Sequence, residues 1–125
     1  MHKLNPRTAA LFSAFGWAVG YLLAGKALAV LLPMPPGGAA RFFRVCLLAP
    51  LVEEGVFRGA VQRRAQPLGR GQAILLQAVL FALQHGSAAA MVYALGLGWL
   101  ADRTGHLWPG MLLHSANNLL VLAMG

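Results

Sequence analysis

Acidic residues are nearly absent from this chain. Of 125 residues only three are Asp or Glu, against ten Lys and Arg, and charged residues together make up 10%. Soluble domains carry about 25% charged residues, so this chain cannot build an ordinary soluble surface. Cysteine is also scarce: Cys46 stands alone, which excludes a disulfide scaffold. A nucleic-acid domain is excluded as well, because a basic patch needs a polar surface to sit on. What is abundant is apolar: 58% of the residues are hydrophobic and the mean hydropathy is +0.64. That composition excludes disorder and predicts one small all-α integral membrane domain, residues 1–125, with the lipid bilayer as its solvent.

A spanning helix needs roughly 20 apolar residues. Residues 8–32 supply the first, interrupted only by Lys26, whose long stem can snorkel toward the interface; we read it as a retained anchor. Pro33, Pro35, Pro36, Gly37 and Gly38 follow as a turn. The second segment, 42–62, has the length of a span but carries Arg44, Glu53, Glu54 and Arg58. Further spans are predicted at 72–85, at 88–101 and from Leu107 to the C-terminus. These give about five transmembrane helices enclosing a polar cavity. The basic residues Lys3, Arg7, Arg63, Arg64, Arg70 and Arg103 then share one side, which by the positive-inside rule is cytoplasmic, as is the N-terminus. Gly16 with Gly20, and Gly55 with Gly59, are spaced for close helix packing. Asp102 is expected to pair with its neighbour Arg103, and Trp108 to anchor at the interface. His2 and His106 receive no role.

A charge at mid-membrane costs at least about 2.5–3.5 kcal/mol, so it faces protein and is functional by default. Glu54 and Arg58 are one helical turn apart and can pair. Glu53, about 100° further round the helix, has no partner within it. Such a carboxylate is suited to acid or base work. At 1.5 Å per residue, Glu53 lies about 15 Å from the inner-loop Arg63, His85 about 20 Å from Gln72, and His114 and Asn118 about 10 and 16 Å from Leu107. All four therefore fall near the midplane or somewhat outward of it. A Glu and a His can deprotonate water, while a second His and an Asn can donate to an oxyanion. This set points to hydrolysis of an acyl bond, most plausibly a peptide bond.

The spacings resemble a known family. Glu53-Glu54-Gly-Val-Phe-Arg58 is similar to the E-E-x-x-x-R signature of the CPBP intramembrane proteases (CAAX prenyl protease 2, Rce1-like, ABI domain). Phe81-Ala-Leu-Gln-His85 resembles its F-x-x-x-H motif and His114-Ser-Ala-Asn-Asn118 its H-x-x-x-N motif. Tyr93 to Leu100 and Arg103 to Pro109 resemble its glycine-rich helix and the turn beyond it. The resemblance covers residues 42–122, with helix 8–32 as a preceding anchor. It implies a glutamate-dependent intramembrane endopeptidase without a cofactor. Glu53 and His85 would activate water, His114 and Asn118 would stabilise the oxyanion, and Glu54, Arg58 and Phe81 would orient them. Zinc held by Glu53, His85 and His114 is the alternative, a sensible ligand set but without an H-E-x-x-H motif. Many members have more helices before the first motif, so a homo-oligomer or partner closing the cavity is left open. The compact size and outward-leaning site favour a prokaryotic inner-membrane protein acting on membrane-anchored proteins, such as those with C-terminal sorting tails, over the trimming of prenylated CAAX ends that eukaryotic members perform. Two other readings remain: a non-catalytic immunity or scaffold protein, and a proton-coupled module, since intramembrane Glu and His also build relays.

Overall fold

The structure, a computed structural model, describes residues 3–125; His2 lies outside them. Five helices follow one another, with no strand among the described residues. Helix α1 is Pro6–Leu31, started by Asn5, whose side chain accepts from the Arg7 N–H, and by Pro6 at the first position, where a missing N–H costs nothing. Helix α2 is a composite of four contiguous stretches: Gly38–Phe42, a π stretch Phe43–Leu48, Ala49–Glu54 and a second π stretch Gly55–Gln62. A single 3-10 turn, Gln66–Leu68, leads to α3, Arg70–His85. Helices α4, Ala88–Thr104, and α5, Trp108–Met124, complete the chain. The α3–α4 and α4–α5 turns each pass through a left-handed glycine, Gly86 (φ 60°) and Gly105 (φ 70°), a conformation that favours glycine.

Among the described residues, only α1 is long and apolar enough to cross a membrane by length and composition. Helices α3, α4 and α5 stop at 16, 17 and 17 residues, and α2 is interrupted by charge. The expectation of five spans thus rests on these shorter helices as well.

The first π stretch in α2 has a cause in the sequence. The Ala49 N–H bonds to Arg44 O, five residues back. In that register the next donor would serve Val45 O, but the next residue is Pro50, which has no N–H. Asn118 of α5 supplies the missing donor, its Nδ2 reaching Val45 O at 2.8 Å. A proline in one helix is thereby answered by an amide from another.

The core is built from small residues and a few aromatics. Ala10, Ala14 and Ala18 of α1 are buried at four-residue spacing, which lets α1 lie close to its neighbours. Phe57 is fully buried, its ring edge-on to both Tyr21 (5.4 Å between centroids) and Phe81 (5.1 Å). Helix α4 is held by two buried glutamines: Gln62 Nε2 donates to Gly98 O at 2.9 Å and Gln77 Nε2 to Ala94 O at 2.8 Å. Gly98 must be glycine, because a Cβ there would overlap the Gln77 amide and lie 2.8 Å from Gln62 Oε1.

Two expectations about packing are corrected. Nothing lies within 4 Å of where a Cβ would stand on Gly16, Gly20 or Gly55; of the four expected packing glycines only Gly59 is tight, 3.2 Å from Leu107. The alanine stripe takes the packing role in α1, and Gly16 and Gly20 instead line an open apolar groove beside Tyr21. Asp102 pairs with Arg70, at 2.6 and 3.1 Å, rather than with Arg103, whose guanidinium lies 5.7 Å over the Trp99 ring. Adjacent residues on a helix point about 100° apart, so Asp102 meets the neighbouring helix.

Candidate active site

Four helices bring side chains to one point. Glu53 and Glu54 sit midway along α2, His85 ends α3, His114 lies in α5, and α1 contributes Tyr21.

The two adjacent carboxylates have separate partners. Glu54 is 1% exposed. Its Oε1 accepts from His114 Nδ1 at 2.8 Å and lies 3.2 Å from Arg58 Nη1. Gly110 of α5 makes room for it, since a Cβ there would lie 3.0 Å from Glu54 Oε2. Arg58 makes the ion pair but no well-aligned hydrogen bond; its guanidinium lies 4.7 Å over the Phe81 ring, a cation–π contact in a desolvated setting. Phe81 also stacks on His85, with centroids 4.0 Å apart and planes at 21°.

Glu53 finds its partners on other helices. Tyr21 donates its hydroxyl to Oε1 at 3.1 Å. The other oxygen, Oε2, lies 3.3 Å from His114 Nε2 and 3.8 Å from His85 Nε2. Unlike Glu54, it borders an open cavity of about 480 Å³, together with His85, Tyr93, His114, Asn117 and Asn118.

Phe81 O can only accept, so the 2.8 Å contact puts a proton on His85 Nδ1; in the neutral imidazole the Nε2 lone pair then faces Glu53. His114 bridges the two carboxylates, Nδ1–H on Glu54 and Nε2 beside Glu53. A separation of 3.8 Å, as between His85 Nε2 and Glu53 Oε2, is too long for a direct hydrogen bond, and a water in the cavity beside the pair can reach both atoms.

Glu53, His85 and His114 thus meet directly. Asn118 lines the same cavity, with one amide hydrogen committed to Val45 O and a second remaining. The sequence reading did not single out Tyr21, Gln62 or Gln77. Each is a hydrogen-bonding group inside an apolar run, the signal that identified the histidines, but none falls in a motif.

A family profile described as type II CAAX prenyl endopeptidase, Rce1-like, matches residues 35–120. The chain belongs to this Rce1-like family. Membership implies a protease and a membrane-embedded protein. The match contains both carboxylates, Arg58, both histidines and Asn118, and excludes all of α1 with Tyr21. No curated protein and no solved structure matches the chain. Among the described residues no group of three His, Cys, Asp or Glu side chains is arranged to hold a metal ion.

Proposed function

We propose that this Rce1-like protein is a glutamate-dependent intramembrane endopeptidase acting on membrane-anchored proteins. The observation that carries the reading is the position of Glu53 Oε2 between two imidazole Nε2 atoms, at 3.3 and 3.8 Å, on the wall of an open cavity. A water held between Glu53 Oε2 and His85 Nε2 gives up a proton to that pair as its oxygen adds to the peptide carbonyl carbon. The carbonyl oxygen becomes an oxyanion, which the second Asn118 N–H and protonated His114 are suited to stabilise. Collapse breaks the C–N bond, and the captured proton passes to the leaving nitrogen.

Glu54 and Arg58 orient His114 in this account. Helices α2 to α5 cross or enter the bilayer beside α1, and the large apolar side chains exposed on them, such as Leu83, Val92, Leu112 and Leu120, face lipid. By the positive-inside rule, the basic loops support a cytoplasmic N-terminus in a prokaryotic inner membrane. The test is cleavage of membrane-tail peptides by the purified protein, with and without a chelator. Chelator-resistant cleavage supports the glutamate mechanism. Chelator-sensitive cleavage sinks it in favour of zinc. Absence of cleavage across a broad panel favours a scaffold or immunity role.

A further inference from the structure

One amide on the wall of the cavity beside Glu53 is left over by the chemistry above. The other polar side chains there have partners. Tyr21 donates to Glu53, His85 bonds to Phe81 O, His114 to Glu54 and Asn118 to Val45 O. Ser87, at the cavity's edge, accepts from the Ala90 N–H. Asn117 lines the same cavity, is exposed, and makes no hydrogen bond among the described residues. Its two N–H donors and its carbonyl acceptor are all free.

The place of Asn117 along α5 makes that freedom costly. It stands nine residues after Trp108 and seven before Met124, about 13 and 10 Å from the two ends of the helix. A long lysine stem can carry its head group toward an interface; the short asparagine side chain cannot. An amide without a partner is expensive at that depth. The α4 residues on the cavity wall, Ala89 and Ala90, have no polar side chain to offer it. Water in the open cavity serves it at rest, and a bound chain takes the place of that water.

Helical geometry says which part of a bound chain it meets. At 100° per residue, Asn118 lies about 40° to one side of His114 and Asn117 about 60° to the other. Asn118 is turned toward α2, where it reaches Val45 O. Asn117 is turned away from α2, which carries Glu53, and so flanks the oxyanion position on the side opposite the water. A peptide bond is open to attack only where the substrate chain is unwound, and unwound backbone at membrane depth must be given partners.

Resting on the proteolytic reading above, we infer that Asn117 binds the substrate's main chain beside the scissile bond, its Nδ2 donating to the C=O and its Oδ1 accepting from the N–H of one flanking residue. The N–H and C=O of an extended residue point to the same side and match the donor and acceptor of a side-chain amide. Because the contact is with the main chain, it holds the peptide in register without reading its side chains.

The experiment uses the full-length protein in bicelles and a tail peptide that the wild type cleaves. In a set of esters of that peptide, each backbone N–H flanking the scissile bond is replaced in turn by oxygen, the scissile bond itself being left as an amide. Cleavage at the original bond is followed by mass spectrometry. Asn117→Leu and the smaller Asn117→Ala, both with wild-type melting curves, should lower kcat/KM on the parent peptide about tenfold, the effect of one hydrogen bond left unmade in a desolvated site. The loss should fall on KM, because the contact is the same before and during the cut. One ester should cost the wild type a similar factor and cost the Asn117 variants nothing further. Wild-type kinetics in both variants overturn the inference and leave the protease standing. So does a wild type indifferent to every ester, and so does an Asn117 loss that simply multiplies with that of each ester. Cleavage of no peptide by the wild type overturns the proteolytic reading and this inference together.

Discussion

Tyr21 donates to Glu53 Oε1 at 3.1 Å, and this one bond ties the N-terminal helix to the carboxylate on which the proposed chemistry turns. It fixes which oxygen of Glu53 is occupied and turns the other toward the two histidines. Tyr21→Phe should lower kcat by about tenfold or more, the range for a hydrogen bond to a charged group. KM and thermal stability should change little, because the ring remains packed against Phe57. Steady-state kinetics on a tail peptide checks this, and an unchanged kcat would detach α1 from the site.

Glu54 and Arg58 form a buried pair, with side chains 1% and 0% exposed. Removing one partner strands the other charge, so Glu54→Gln or Arg58→Met should each cost about 3–5 kcal/mol of stability. The double change Glu54→Leu with Arg58→Met should recover much of that loss, yet remain inactive because His114 loses the acceptor for Nδ1. Chemical denaturation in detergent and a cleavage assay on the same samples separate the two effects.

The sequence made the convergence of Glu53, His85 and His114 legible because intramembrane polar groups must be satisfied inside the bundle. Helical rise alone was enough to bring them to one level along the bundle. Helix boundaries were legible from the same source: the run 8–32 became Pro6–Leu31, and 72–85 became Arg70–His85. What could not be read were relations between helices. The π register of α2 arises from Pro50 and is completed by Asn118, 73 residues beyond Val45. No local pattern announces that pairing. The choice of Arg70 for Asp102, and of alanine over glycine as the tight face of α1, likewise depends on how helices are rotated about their axes.

The Pro50–Asn118 relation has its own test. Pro50→Ala restores a backbone donor for Val45 O, so the side-chain bond from Asn118 becomes redundant there. Asn118→Ala should therefore destabilise the wild type by about 0.5–1.5 kcal/mol more than it destabilises Pro50→Ala. A double-mutant cycle on unfolding free energy measures the coupling. A cycle that closes to zero would show that Asn118 does not stand in for the missing donor.

Gly98 gives a prediction about assembly of the bundle. Its missing side chain lets Gln62 and Gln77 reach the α4 backbone. Gly98→Ala should destabilise the protein by about 1–3 kcal/mol, the usual cost of overpacking, and Gly96→Ala, with nothing within 4 Å of its Cβ position, should be near neutral. Thermal melts of the two variants in the same detergent make the comparison.

The most direct measurement is cleavage of a membrane-anchored substrate by Glu53→Gln beside the wild type, both shown to be folded by matching melting curves. Gln keeps the size of the side chain and an acceptor oxygen for Tyr21, but removes the charge and the ability to take a proton. The wild type should cleave, and Glu53→Gln should fall by at least about a hundredfold, the lower bound for loss of a general base. A folded Glu53→Gln protein that cleaves at the wild-type rate would contradict it.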